Sequence, residues 1–191
     1  RLMEGDPHKA RSYLEESRRG LLRMSNILTQ LLAFSRSYRG TSRPVGLAQI
    51  IRDSLALYEK RAQATNIEIR LDLPPDLPTC PDTELCQVFC NVIKNALDAM
   101  GQDGVLTVRA ERRDGSVAVI ISDTGPGVPE DIRDKILEPF FTTKKDGTGT
   151  GLGLAACVDS LNRIGGSIRL LPSEQGASFE IVVPVEPREV S

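Results

Sequence analysis

The segment DTELCQVFCNVIKNALDAM, residues 82–100, combines apolar residues at helical spacing with two amides on one face. Because Gly101 follows directly, the segment predicts a mostly buried helix that ends at Met100. Asn91 and Asn95 lie one helical turn apart on a face that is otherwise apolar, and buried amides need partners. Two interpretations stay open here: hydrogen bonds from the helix to a loop, or oxygen ligands for a Mg²⁺ that bridges phosphates.

The sequence on both sides of this helix predicts further helices and strands in alternation. The predicted elements are helices at 47–64, 82–100 and 152–164 and strands at 66–73, 105–112, 116–122, 167–171 and 177–185. Short turns join the strands in two pairs, at residues 113–115 and 173–176. This order predicts an α+β fold, a two-layer α/β sandwich with a mixed, largely antiparallel sheet.

Two glycine-rich stretches flank a long loop, residues 124–151, and loops of this length are usually functional. DTGPG (123–127) follows an apolar strand, so the Asp123 carboxylate stands at a strand end and suits an amino-group donor such as adenine. GTGTGLGL (147–154) leads into a helix, whose free N–H groups suit phosphates. A P-loop is excluded because GxxxxGK[ST] is missing. Residues 151–156 match GxGxx[GA], but no strand runs directly into them.

Length and composition narrow the classes of protein. A chain of 191 residues fits one large domain, or one domain with an appendage, at about 100–200 residues per domain. The net charge of −2 argues against binding to nucleic acid or a membrane surface by bulk charge. A single histidine, His8, excludes a multi-histidine metal site. Without a signal peptide, an apolar span or a CxxC pair, we expect a reduced, cytoplasmic protein.

The N-terminal part predicts a separate helical element. Residues 6–38 carry apolar side chains on a seven-residue repeat, which predicts a long helix that packs against partner helices rather than alone. GTSRPVG (40–46) reads as a linker by composition. The expected domains are therefore residues 1–39 and residues 47–187. The chain begins with Arg rather than Met, so we expect a fragment of a longer protein.

Four motifs in order resemble those of bacterial sensor histidine kinases, members of the gyrase, heat-shock chaperone, histidine kinase and mismatch-repair ATPase superfamily. They are NVIKNA (91–96, N box), DTGPG (123–127, first glycine box), EPFFTTK (138–144, F box) and GTGLGL (149–154, second glycine box). Residues 8–38 are similar to the second helix of the dimerisation and phosphotransfer hairpin. The resemblance implies a Bergerat-type ATP-binding fold, with residues 128–150 as the ATP lid.

The resemblance also implies roles for individual residues. Asn95 is expected to coordinate Mg²⁺, Asp123 to accept a hydrogen bond from the adenine amino group, and Lys144 to reach phosphate oxygens unless it is merely solvated. Asn91 is expected beside Asn95 at the nucleotide, and the expected catalytic residues are Asn91, Asn95 and Lys144. Phe140 and Phe141 are expected to be packing residues. The other residues expected at the nucleotide are Asp98, Gly125, Gly127, Val128, Thr143, Gly149, Thr150, Gly151, Leu152, Gly153, Leu154 and Ser178.

Asn91 distinguishes among the members of this superfamily. ATPases that use water, and the related serine kinases, place a glutamate base where this chain has Asn91, and an amide cannot take a proton. A histidine acceptor brings its own nucleophilic nitrogen, so the resemblance implies transfer of the γ-phosphoryl group of ATP to histidine. The alternatives are an ATPase or serine kinase of the same superfamily, and a nucleotide-gated interaction module.

The acceptor itself is not evident in this chain. His8 lies in DPHK, which does not resemble the family's acceptor motif, so we expect the acceptor on a first hairpin helix upstream. The fragment is then expected to bind ATP without phosphorylating itself. The intact protein is expected to dimerise through the hairpin and to pass the phosphoryl group to an aspartate of a response regulator. We expect no nucleic-acid partner and no membrane contact by this fragment.

Overall fold

The computed structural model describes residues 44–81, 84–144 and 149–185. The chain divides into two compact units, one of residues 41–141 and 151–191 and the other of residues 1–40 and 142–150. The first unit holds every helix and strand that the structure describes. The predicted helix at 6–38 lies outside the described residues.

The first unit contains a five-stranded sheet, a two-stranded sheet and four helices among the described residues. In chain order the elements are β1 (Pro44–Gly46), α1 (Leu47–Ala56), α2 (Glu59–Ala64), β2 (Ile67–Asp72), β3 (Thr79–Pro81), α3 (Leu85–Met100), β4 (Gly104–Arg113), β5 (Ser116–Asp123), α4 (Gly153–Arg163), β6 (Ser167–Leu171) and β7 (Ser178–Pro184). The large sheet has the order β2-β4-β5-β7-β6, in which only β2 and β4 run parallel. This confirms the predicted α+β fold with a mixed, largely antiparallel sheet.

The core lies between one face of this sheet and helices α1, α3 and α4. Alternate residues of β5 (Val117, Val119 and Ile121) are buried there, as the period of a strand requires. Phe89 and Ile93 of α3 are 0% exposed, and each contributes about 1.5–3 kcal/mol by leaving water. Helix α3 is therefore the central helix of the layer, and this fixes the position of its polar residues.

Three features differ from the sequence-based expectation. The predicted helix at 47–64 breaks at Leu57, which is 70% exposed, so α1 and α2 are separate. The Ser54 hydroxyl donates to the Ile50 carbonyl at 2.8 Å, a bond of the kind that bends helices. The end of the predicted linker forms β1, which pairs with β3, and the long loop contains a 3₁₀ turn at Glu130–Ile132.

Within the described ranges, no helix is long and apolar enough to cross a membrane.

Candidate functional site

Asp123 ends β5 with a buried carboxylate of which one oxygen is held by the backbone. Its Oδ1 accepts hydrogen bonds from the N–H groups of Gly125 at 2.9 Å and Ala177 at 3.2 Å, while Oδ2 has no partner among the described residues. Burial raises the pKa of Asp123, although both backbone N–H groups act in the opposite direction. Because Oδ1 is held in place, Oδ2 is an acceptor in a fixed position, and the amino group of a bound ligand would satisfy it.

The turn after Asp123 lies directly against the turn between β6 and β7. A Cβ on Gly127 (φ +75°) would stand 2.9 Å from the Gly176 carbonyl oxygen, and one on Gly176 (φ +68°) would stand 1.8 Å from the Asp123 carbonyl oxygen. No side chain fits between two backbones this close, and both φ values favour glycine. Backbone atoms of the two turns therefore line the site next to the Asp123 carboxylate. Gly125 lies in the same turn, where a Cβ would stand 2.9 Å from Asp123 Oδ1.

Ser178 does not contact this carboxylate, and its predicted place at the nucleotide stays a prediction. Its hydroxyl pairs with that of Ser122 at 2.7 Å, and the two residues lie opposite each other in the β5–β7 register. Since neighbouring residues of a strand point to opposite faces, Ser122 and Ser178 lie on the sheet face away from Asp123. The residue across from the carboxylate is instead Ala177, one position earlier in the chain.

Helices α3 and α4 pack side by side in opposite directions, and polar contacts join them at both ends of α4. Glu84, directly before α3, accepts hydrogen bonds from Ser160 and Arg163 near the end of α4. Asn91, in the middle of α3, donates from Nδ2 to the carbonyl oxygen of Gly153, the first residue of α4, at 3.1 Å. The start of α4 therefore lies beside the middle of α3.

Helix α4 begins at Gly153, beside the middle of α3. Leu152 occupies the N-cap position and makes no side-chain cap hydrogen bond. The first N–H groups of a helix, here those of Gly153 to Ala155, have no acceptor within the helix and carry its partial positive charge. This end of α4 therefore has the donors and the field that suit an anion. The Leu154 side chain, like that of Val128, packs against the hydrophobic core.

Asn95 lies on α3 one turn beyond Asn91, past the point where α4 begins. Its side chain is half-buried, and its amide makes no hydrogen bond within the described part of the chain. A half-buried amide without a partner fits an oxygen ligand for a cation that accompanies an anion at the α4 start. Asp98, one turn further, forms an ion pair with Arg61 of α2 at 2.6 Å. Its predicted nucleotide contact stays a prediction.

A close contact between Phe140 and Gly151 joins the two ends of the segment between them. The Phe140 N–H donates to the Gly151 carbonyl at 2.9 Å, and a Cβ on Gly151 (φ +65°) would stand 2.3 Å from the Phe140 carbonyl carbon. Phe140 has a φ of +67° and its side chain is 76% exposed. The described residues therefore do not bury the Phe140 ring that was predicted to pack.

The residues at 142–150 belong to the second compact unit. There, the Lys144 N–H donates to the Thr142 hydroxyl at 3.2 Å. A Cβ on Gly149 would stand 2.1 Å from the same hydroxyl, so only glycine fits in that arrangement. The nucleotide contacts predicted for Thr143, Lys144, Gly149 and Thr150 stay predictions.

The structure adds one residue that the sequence analysis did not single out, Gln87. Its Nε2 donates to Asn91 Oδ1 at 3.1 Å, so both ends of the Asn91 amide are engaged. The available signal was spacing alone, since residues 87, 91 and 95 follow one another at single helical turns.

Comparison with known proteins places this arrangement in a family. Residues 81–187 match the model of the histidine kinase-, DNA gyrase B- and HSP90-like ATPases. The C4-dicarboxylate transport sensor protein DctB of Rhizobium meliloti is 34% identical over 83% of this chain and 26% of its own length. Sensor histidine kinase ZraS of Escherichia coli is 34% identical over 85% of this chain and 35% of its own length. The chain thus spans only a quarter to a third of these relatives.

Solved histidine kinase structures share this fold over most of the chain. The nucleotide-free catalytic domain of histidine kinase ThkA has a TM-score of 0.68 and 30% identity, over 76% of this chain and 96% of that one. ThkA in complex with response regulator protein TrrA has a TM-score of 0.75 and 27% identity, over 97% of this chain and 54% of that one. The chain therefore belongs to the histidine kinase-, DNA gyrase B- and HSP90-like ATPase family, in which it is a catalytic domain of the sensor histidine kinase type.

Proposed function

We propose that this domain binds ATP together with Mg²⁺ and serves as the catalytic core of a sensor histidine kinase. The intact protein would transfer the γ-phosphoryl group to a histidine on a helix upstream and then to an aspartate of a response regulator. The observation that carries the proposal is the Asp123 carboxylate, with Oδ1 held by two backbone N–H groups and Oδ2 without a partner among the described residues.

This carboxylate supports selection of adenine. Asp123 is only 5% exposed, so a base that enters the site replaces the little water that reaches Oδ2. The exocyclic amino group of adenine donates to that oxygen, whereas guanine presents a carbonyl oxygen at the same ring position and repels it. A buried acceptor left without a donor costs about 1–3 kcal/mol, which is a penalty against the wrong base.

The α3–α4 pair supports the phosphate end of the proposal. The N–H groups at the start of α4 would bind phosphate oxygens, and the Asn95 amide oxygen would hold Mg²⁺. Asn91 fits a metal ligand less well, because Gln87 and Gly153 already engage both ends of its amide. When bound, Mg²⁺ supplies neutralisation of the charge on the transferring phosphoryl group. Lys144, Gly149 and Thr150 remain candidates for further phosphate contacts.

The reaction type follows from the chemistry of Asn91. The turn of α3 before Asn95 carries an amide and no carboxylate, so it provides no base to deprotonate water or a serine hydroxyl. A neutral imidazole needs no such base, because its ring nitrogen already carries the attacking electron pair. The task of the domain is then to orient ATP and to place its γ-phosphoryl group in line with the acceptor nitrogen.

The partners are proposed on the same basis. ZraS is a sensor histidine kinase by name, and ThkA has been solved in complex with a response regulator. We propose a response-regulator receiver domain as the downstream partner, dimerisation through the helical hairpin that includes residues 8–38, and a cytoplasmic location for the domain. Neither nucleic acid nor a membrane surface is proposed as a partner of this fragment.

Calorimetry with ATP, GTP and Mg²⁺ tests the nucleotide site. The chain should bind ATP over GTP, and Asp123→Asn should weaken ATP binding about 100-fold, because backbone N–H groups hold the amide oxygen and turn its NH₂ toward adenine. Equal affinity for ATP and GTP, or an unchanged affinity for ATP in Asp123→Asn, would contradict the proposal.

Phosphotransfer is tested separately: a longer protein with the upstream helix should incorporate label from γ-labelled ATP, and this chain alone should not.

A further inference from the structure

Four groups form a continuous hydrogen-bonded path from α3 to α4. Gln87 Nε2 donates to Asn91 Oδ1 at 3.1 Å, and Asn91 Nδ2 donates to the Gly153 carbonyl oxygen at 3.1 Å. The same carbonyl oxygen accepts from Cys157 Sγ at 3.1 Å. The path therefore meets α4 at its first residue, Gly153, and the N–H groups at this end of α4 form the proposed phosphate site.

We propose that Gln87 is a positioning residue that fixes the orientation of the Asn91 amide, and through it the position of the α4 N-terminus relative to Asn95. The structural part of this inference stands on the contacts alone. Its consequence for nucleotide binding rests on the proposed function. Asn91 is thereby assigned as the link between the helices rather than as a ligand of the metal or the phosphates.

An amide has two different ends, and only one orientation satisfies both neighbours of Asn91. The Gly153 carbonyl requires a donor, which Nδ2 provides, while Gln87 Nε2 requires an acceptor, which Oδ1 provides. A flip of the Asn91 amide would set oxygen against oxygen at Gly153, and it would set nitrogen against nitrogen at Gln87 unless the Gln87 amide turned over as well. Gln87 adds a second hydrogen bond to the Asn91 amide in the orientation that the Gly153 carbonyl selects.

Cys157 reinforces this arrangement from the other side. Its thiol is 1% exposed, and burial raises the pKa of Cys157 to about 12, so the group stays protonated and donates to the Gly153 carbonyl. The carbonyl at the start of α4 is thus held by two donors, one from each helix. Asn91 Nδ2 also lies 3.6 Å from Cys157 Sγ, which keeps the three groups in one cluster.

The position of this cluster explains why it would affect phosphate binding and spare adenine binding. Asn95 lies one turn from Asn91 on α3, about 6 Å along the helix axis. A shift of the α4 start would therefore change the distance between the Asn95 amide and the N–H groups of α4. Asp123 is held through Gly125 and Ala177 and shares none of these contacts.

The test compares adenosine with Mg·ATP on the whole chain by calorimetry. Gln87→Met removes the donor without adding charge, and we expect Mg·ATP to bind about tenfold more weakly while adenosine affinity changes less than about twofold. Gln49→Met is the matched control, because the Gln49 amide also donates to a side chain one turn further on, Asp53 Oδ1 at 2.7 Å, but on the exposed face of α1. It should change neither affinity.

A double-mutant cycle separates positioning from direct contact with the nucleotide. If Gln87 acts through Asn91, Gln87→Met should add little to the loss caused by Asn91→Ala, whereas additive losses would overturn the inference. Equal losses of adenosine and Mg·ATP affinity in Gln87→Met would also overturn it, since that result reports a general structural defect. An unchanged Mg·ATP affinity in Gln87→Met would overturn it as well.

A nucleotide-free measurement keeps this inference distinct from the proposed function. In the ¹⁵N spectrum, Gln87→Met should shift the Asn91 side-chain NH₂ resonances and speed their exchange with water, and Gln49→Met should leave them in place. Unshifted resonances would overturn the structural link itself. If the resonances shift but the unmodified chain binds neither adenosine nor Mg·ATP, the proposed function fails while the link between α3 and α4 stands.

Discussion

The two ends of the proposed nucleotide site within the first unit are built in different ways. Around Asp123, backbone meets backbone, and a Cβ on Gly176 would come within 1.8 Å of the Asp123 carbonyl oxygen. Between α3 and α4, side-chain amides join two helices across their surfaces, with hydrogen bonds of 3.1 Å at Asn91. The contact between backbones around Asp123 leaves no room for an added atom. The contact between α3 and α4 depends on side chains that single substitutions can remove. We therefore expect the adenine end to be rigid and the phosphate end to be adjustable.

The largest effect is expected where the backbones meet. Gly176→Ala should destabilise the fold by at least about 2 kcal/mol more than Gly115→Ala, because its Cβ would overlap the Asp123 carbonyl. Gly115 is the matched control: its φ of +67° is nearly the same, but nothing lies within 4 Å of a Cβ there. Gly115→Ala should lower the free energy of unfolding by only about 1–2 kcal/mol, the cost of an alanine in the left-handed backbone conformation.

Urea unfolding of both variants measures this difference. Equal losses for the two glycines would mean that the turn after β5 yields to the extra carbon. In that case the adenine end would not be the rigid part of the site, and the contrast with the phosphate end would disappear.

Asn95→Ala should separate the two ends by their ligands. We expect Mg·ATP to bind about 10- to 100-fold more weakly, because the amide oxygen proposed for Mg²⁺ is lost. Adenosine affinity should stay within about twofold, since the Asp123 contacts are untouched. Calorimetry with and without Mg²⁺ measures both, and a loss of adenosine affinity equal to that of Mg·ATP would show that the two ends are not independent.

The sequence predicted the elements of both ends better than it predicted their contacts. Helix α3 and its amides follow from helical spacing, and the position of Asp123 follows from an apolar strand that runs into a glycine-rich turn. The sheet face on which Ser178 lies could not be predicted, because strand register is decided by pairing with β5, and a one-residue offset moves a side chain to the other face. Gln87 was missed because the orientation of the Asn91 amide depends on Gly153, far away in the chain.

The pH dependence of adenosine binding tests the charge at the rigid end. Burial raises the pKa of Asp123, so the folded domain favours its protonated form and loses some stability as pH rises through the range between the ordinary pKa and the raised one. Adenosine has the opposite preference, because its amino group donates to the ionised carboxylate. Its affinity should fall by up to about tenfold per pH unit below the raised pKa.

Titration of adenosine binding from about pH 7 down toward the ordinary aspartate pKa of about 3.9 measures this fall. Asp123→Asn supplies the control, since an amide does not titrate and its weaker binding should be flat over the same range. Parallel pH profiles in the parent chain and in Asp123→Asn would assign the dependence to another group.

The smallest effect is expected from Asp98, which stands on the same helix as Asn95 but points to a different partner. Its ion pair with Arg61 is partly exposed, and such pairs contribute about 0–1 kcal/mol. Asp98→Asn should therefore cost less than about 1 kcal/mol in urea unfolding and leave Mg·ATP affinity within about twofold. Arg61→Met, which removes the partner and keeps the Asp98 carboxylate, should match it in both measurements. If Asp98→Asn alone weakened Mg·ATP binding, the carboxylate would contact the nucleotide or its metal, and the adjustable end would extend one turn further along α3.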